Sequence, residues 1–159
     1  MPNAIAIPES LYLADQFDPD DSVSYLLHLT MHSLKAQMEQ GMEPHELTAM
    51  QWQPLYMISI GRAETAADLS RLMQVDTGAV TRMIDRLEAK GLVIRERSTD
   101  DRRVVHLALT QAGRDRAAAV PTVLCDVLNQ HLQGFTETEL SQLMSYLQRM
   151  IDNGRRGNQ

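Results

Sequence analysis

Val75-Asp76-Thr77-Gly78-Ala79-Val80-Thr81-Arg82-Met83-Ile84-Asp85-Arg86-Leu87-Glu88-Ala89-Lys90-Gly91 separates its residue types with a helical period. Val80, Ile84 and Leu87 recur along one face with Met83 beside them, while Thr77, Thr81, Arg82, Asp85 and Arg86 fall on the remaining arc. Asp76 stands where a carboxylate caps the free amides of a first turn, and Gly91 where a helix ends in a left-handed residue. Small residues (Thr77, Gly78, Ala79) at the exposed start and arginines further along suit close approach to a nucleic-acid groove. Taken alone, the pattern also describes an ordinary amphipathic helix with a solvated face, so its neighbours must decide.

Upstream, Thr65-Ala66-Ala67-Asp68-Leu69-Ser70-Arg71-Leu72-Met73 reads as a short capped helix, and only Gln74 and Val75 separate it from the next. Two short helices joined so tightly form a helix-turn-helix candidate whose second helix is the reader. Downstream the period changes to that of strands. Leu92–Arg97 and Val104–Leu109 flank the polar turn Ser98-Thr99-Asp100-Asp101-Arg102-Arg103, which predicts a β-hairpin with arginines at its tip. Helix-turn-helix plus hairpin is a winged-helix arrangement, far more specific than either part.

Further out, residues 1–19 hold three prolines and no sustained period, so an irregular or locally helical arm is expected. A helix starts near Asp20-Asp21-Ser22, is apolar around much of its circumference, and is expected to stop at Gly41. Thr48 and Gln51 have capping-box spacing before a helix that Pro54 should bend. Thr110 opens a long helix to about Gly134, bent at Pro121. Thr136–Glu139 opens another, carrying Leu140, Leu143, Met144, Leu147, Met150 and Ile151. These last two helices lie outside any winged-helix core and need a partner for their stripes, most simply a second copy of the chain. The expected fold is mainly α (α+β). An arm and dimerisation helix take residues 1–45, a winged helix-turn-helix lobe 46–110, and C-terminal dimerisation helices 111–159.

Composition bounds the function. A 159-residue chain with 43% hydrophobic content builds a packed core, and no run of about 18 apolar residues or signal-peptide pattern is present, so a cytoplasmic protein without a membrane partner is expected. The net charge of −6 argues against nucleic acid until its distribution is read. Residues 62–116 hold eleven of the 15 basic residues against nine acidic ones, a net of +2, leaving −8 elsewhere: a basic working surface on an acidic body. The one cysteine, Cys125, falls in a helical pattern and reads as a core or interface residue. No nucleophile constellation, phosphate loop or paired-carboxylate site supports an enzyme. His28 and His32 share a helix face at metal-ligand spacing, but no cysteine or clear carboxylate cluster accompanies them, so no metal is expected.

Residues 22–153 strongly resemble the MarR family of bacterial transcription regulators. The resemblance rests on Leu47-Thr48 with Gln51-Trp52, Ala67-Asp68-Leu69, Asp76 through Leu87, Lys90 through Arg95, the wing Asp101-Arg102-Arg103, and Leu107-Ala108-Leu109-Thr110-Gln111-Ala112-Gly113. It implies a triangular homodimer with interleaved terminal helices, reading a pseudo-palindromic operator through two winged-helix lobes. It further implies a repressor released by a small aromatic or phenolic ligand bound between lobe and dimerisation helices. A metal- or redox-responsive regulator with the same DNA surface is the alternative, although the family's thiol sensors carry their cysteine near the N-terminal helix, where this chain has none.

In such a dimer the two readers enter successive major grooves about 34 Å apart. Thr77, Gly78, Thr81 and Arg82 are candidates for base edges, Arg82 through a bidentate guanine contact. Arg86 and Ser70 are placed for phosphate, with a helix pair to Asp85 or Glu88 as the competing role for Arg86. The resemblance places Arg103 in the minor groove, where a guanidinium reads width, with Asp101 orienting it and Arg102 alongside. Arg95 and Arg97 are DNA contacts or strand-face charges. For a ligand, Tyr25, His28, Met31, His32, Trp52, Tyr56 and Met57 offer an aromatic-lined pocket with polar handles, with Arg86 a further candidate; core packing competes for Trp52 and the methionines. No cofactor other than such an effector is expected.

Overall fold

The computed structural model describes residues 10–97, 101 and 103–156. The chain runs α1 (Val23–Met42), α2 (Ala49–Ser59), α3 (Ala66–Met73), α4 (Thr77–Ala89), β1 (Val93–Arg97), β2 (Val105–Leu109), α5 (Gln111–His131) and α6 (Glu137–Arg156), with single 3-10 turns at Pro19–Asp21 and Glu43–His45. The fold is mainly helical with one two-stranded sheet.

The inner face of α4 is buried as its spacing requires: Val80, Met83, Ile84 and Leu87 are all nearly inaccessible. Val80, Ile84 and Leu87 join Leu55 of α2, Leu69 of α3, Val93 of β1 and Val120 of α5 in one cluster. Each large side chain so buried contributes about 1.5–3 kcal/mol, so this face holds the reader in place. The helix ends are chemically set. Asp76 accepts from the Ala79 amide at 2.9 Å, and Gly91 takes φ +67° where a Cβ would be strained. Ahead of it, Thr65 and Asp68 form a reciprocal capping box at the start of α3, with 3.2 and 3.1 Å bonds between side chain and main chain. The chain leaves α3 through Gln74 in the left-handed region, φ +53°.

The hairpin pairs Val93 with Leu109 and Arg97 with Val105 in antiparallel register. It is anchored at its base, where the Leu107 amide donates to the Glu64 carbonyl at 2.8 Å and Thr110 donates to the Leu92 and Gly91 carbonyls. The N-terminus of α5 follows so closely that a Cβ on Gly113 would stand 2.0 Å from the Leu92 carbonyl oxygen.

α1 does not stop at Gly41. It continues through Met42 into the 3-10 turn, and Glu46 at φ +55° makes the reversal. The glycine serves packing instead: a Cβ there would lie 2.6 Å from Cγ1 of Val123 on α5. α2 and α5 both run unbroken through their prolines, and Pro54 is fully buried. Cys125 is exposed on α5, so its core reading is overturned: the buried face is taken by Val120, Val123 and Val127, and residue 125 lies off that stripe. No residue of α6 is buried, and Leu26, Leu29 and Met31 of α1 are likewise exposed. In the arm, the Tyr12 hydroxyl accepts from the Val23 amide at 2.9 Å and its ring meets Phe17 edge-on. Among the described residues no helix is long and apolar enough to cross a membrane.

Candidate nucleic-acid interface

The outer arc of α4 presents Thr77, Gly78, Thr81, Arg82, Asp85 and Arg86 to solvent. The Thr81 hydroxyl donates back to the Thr77 carbonyl at 2.8 Å, which leaves its acceptor lone pairs and methyl group outward. A Cβ on Gly78 would lie 3.1 Å from Asp76 Oδ1 and 3.5 Å from Arg82 Nη1, so the Arg82 guanidinium folds back towards the helix N-terminus over the bare glycine. Arg82 and Arg86 form no side-chain hydrogen bond or ion pair among the described residues. The competing role for Arg86, a helix pair with Asp85 or Glu88, does not occur, because side chains one and two residues apart on a helix do not face each other.

Arg95 of β1 takes both carboxylates instead, donating to Asp85 Oδ1 at 2.6 Å and to Glu88. The Asp85 hydrogen bond and the charge of Glu88 raise its pKa further, so the cation is permanent. Arg95, read from the sequence as a DNA contact or a strand-face charge, is paired to α4 in this structure. Ser70 is half-buried and donates to the Val75 carbonyl at 2.7 Å. Its hydroxyl proton stitches the turn between α3 and α4 and is not offered outward to phosphate. Arg97 is exposed at the end of β1.

At the wing, Asp101 accepts from the Arg103 main-chain amide at 3.0 Å and from its Nε and Nη2 at 3.2 and 3.1 Å. The Arg103 side chain is nonetheless 90% exposed, so its carboxylate partner orients the guanidinium without covering it. The same bonds hold the Asp101 carboxyl below the usual carboxylate range. Arg102 and residues 98–100 lie outside the described residues.

Two cations to which the sequence assigns no contact brace the lobe from behind. Lys90, the C-cap of α4, donates to the Glu46 carbonyl at 3.0 Å and to Oε1 of buried Gln51 at 2.9 Å. Arg116 of α5 donates to the His45 carbonyl at 2.7 Å and pairs with the Glu46 carboxylate, whose pKa it lowers. The partners lie 39 to 71 residues apart in the chain, where no local periodicity signals them.

A cleft of about 580 Å³ opens between α1, α2 and α5. His28, Met31, His32 and Trp52 line it, as their residue types suggested, and Lys35 and Gln53 add polar handles that the sequence reading missed. Lys35 follows His28 at seven residues and His32 at three on the same helix face, a signal that was available. Four other candidates lie elsewhere. Tyr56 and Met57 pack against the core, Tyr25 is exposed on α1, and Arg86 is exposed on α4 and does not line the cleft. Among the described residues no three His, Cys, Asp or Glu side chains group to hold a metal ion.

A capped helix-turn-helix, its second helix exposing threonines and arginines, followed at once by an arginine-bearing antiparallel hairpin defines a winged-helix protein. The sequence pattern of the MarR family matches residues 47–105. The HTH-type transcriptional repressor MdtR of Bacillus subtilis (strain 168) is 31% identical over 129 residues, 81% of this chain and 82% of that protein. The multiple antibiotic resistance protein MarR of Escherichia coli (strain K12) is 28% identical over 139 residues, 87% of this chain and 96% of that one. A mutant MarR from E. coli complexed with operator DNA matches the fold with a TM-score of 0.74 at 27% identity, covering 80% of this chain and 91% of that one. The chain belongs to the MarR family: it is a winged-helix transcriptional regulator and not an enzyme.

Proposed function

We propose that the protein is a cytoplasmic, homodimeric repressor that binds a pseudo-palindromic operator and is released from it by a small aromatic or phenolic ligand. One observation carries the DNA reading: among the described residues Arg82 and Arg86 on α4 have no carboxylate partner, on the same lobe as exposed Arg103 of the wing. Reader helix and wing thus offer cations for adjacent grooves and the phosphates between them. The operator complex of the E. coli relative supports the same reading. Thr77, Gly78, Thr81 and Arg82 address base edges, Arg86 the backbone, and Arg103 the minor groove, where a guanidinium senses width.

The dimer reading is supported by the uncovered apolar residues of α6, Met144, Met150 and Ile151, and of α1. Two copies that cover these stripes pair their readers on one side of the duplex. The cleft, with Trp52 and three basic or titratable groups from α1, suits an aromatic acid or phenol. Because it lies where α1, α2 and α5 meet, a ligand there acts by changing the separation of the two lobes.

Anisotropy titrations of a duplex selected by the protein from a random-sequence pool test this, repeated across salt and with a panel of aromatic carboxylates and phenols. Tight, salt-dependent and sequence-dependent binding is expected, with one class of compound both stabilising the free protein and releasing the duplex. Selection of no duplex sinks the DNA reading; compounds that stabilise without releasing sink the effector reading.

A further inference from the structure

The side chain that both ion-pair contacts of the reader helix depend on is Arg95, and it comes from the wing. Asp85 and Glu88 sit one turn apart on α4, half-exposed, beside the arginines read above as DNA contacts. Two uncompensated carboxylates here repel phosphate, and Glu88 also lies near the negative end of the helix dipole. Asp85 stands three residues after Arg82, the spacing at which helix side chains meet and compete for pairing, whereas neither acid faces Arg86, one residue after Asp85 and two before Glu88. Arg95 takes both acids: its guanidinium fork spans the two, one nitrogen to each. Its main chain pairs with Leu107 in the hairpin, and Leu107 is tied to Glu64 ahead of α3. The fork therefore fastens the wing to the reader helix while cancelling the helix's acidic side.

We propose that Arg95 is a positioning residue of the DNA surface. It holds the wing against α4 and neutralises Asp85 and Glu88, so that Asp85 is not drawn to Arg82 and phosphate meets no bare carboxylate beside Arg82 and Arg86, and it does not itself contact the duplex. This rests on the DNA-binding reading above and goes beyond it by separating a cation that contacts DNA from one that prepares the contact. A lysine at this position cannot reproduce the role, since a single ammonium does not present the fork.

The test is a cycle of variants measured on the duplex selected by the wild-type protein, with thermal unfolding of each variant as the folding control. Arg95→Met in the wild-type background is expected to lose about tenfold in affinity, within the range shown by residues of one ion-pair network. In an Asp85→Asn/Glu88→Gln background, which has no charge for Arg95 to cancel, adding Arg95→Met is expected to change affinity by less than about twofold. That second comparison stands even where the single variant folds poorly, because the uncompensated carboxylates are gone. An equal loss in both backgrounds, accompanied by a fall of about one phosphate contact in the salt slope, makes Arg95 a direct DNA contact and overturns the proposal. So does wild-type affinity in the folded single variant. If the wild-type protein selects no duplex, the DNA reading falls and this inference with it.

Discussion

Gly41 of α1 lies so close to Val123 of α5 that a methyl group on its Cα would stand 2.6 Å from the valine Cγ1. Val123 is itself buried, with little room to yield. Gly41→Ala therefore gains about 1 kcal/mol of helix propensity and loses more to overpacking, for a net destabilisation of about 1–2 kcal/mol. Chemical denaturation at fixed protein concentration measures it. Combining the change with Val123→Ala should recover part of the loss, since the two sites share one contact; strictly additive losses would mean that the contact is not what matters.

Among the described residues the Arg103 side chain bonds only to Asp101, and it is 90% exposed, so Arg103→Ala should leave the thermal unfolding of the protein unchanged. Operator affinity should fall on the order of tenfold, with the slope of log affinity against log salt flatter by about 0.9. Asp101→Asn should lose less, because it frees the guanidinium without removing it. Operator titrations at several salt concentrations separate the two, and an Arg103→Ala variant with undiminished affinity removes the wing from the interface.

The box at the start of α3 makes a pH-dependent contribution. The hydrogen bond from the Thr65 hydroxyl, and then the Glu64 amide, hold the Asp68 carboxyl below the ordinary Asp value of 3.8. A carboxyl depressed in the folded state contributes its stability in full above that ordinary value and loses it as pH falls through the folded one. Asp68→Asn should thus cost about 1 kcal/mol near neutral pH, and the gap between variant and wild type should close below pH 3.8. Denaturant midpoints across an acid series check the sign; a gap that widens towards low pH would contradict it.

Lys35 gives the cleft a positive group whose value depends on the ligand's charge. Lys35→Met should weaken an aromatic carboxylate about two- to fivefold, a small factor because the lysine is exposed and screened, and leave a neutral phenol unaffected. Trp52→Ala should weaken both. Calorimetric titration of paired carboxylate and phenol analogues reads the difference, and equal effects on both ligands would exclude a charge role for Lys35.

Much of the lobe was legible because its signals are local. Period, caps and turn chemistry lie within a few residues of one another, so Thr65, Asp76, Gly91 and the hairpin could be placed without knowing what they pack against. Gly41 misled for the same reason: a glycine near a helix end usually marks the end, and the neighbour that demands its missing Cβ is 82 residues away in the chain. Ser70 carried a phosphate donor's chemistry in a position that commits its proton to the turn.

What the chain settles by itself is the arrangement Val75–Gly91 with its flanking helix and wing, hence the winged-helix class and the residues on the reader's outer arc. Only the tertiary structure decided which arginines are free. Arg86 and Arg95 both have acidic neighbours in the sequence, yet among the described residues one forms no ion pair and the other closes a fork over Asp85 and Glu88. The physical reason is that charge pairing depends on where a strand crosses a helix. That crossing is fixed by Leu107, Val93 and the buried face of α4, apolar contacts that carry no charge of their own.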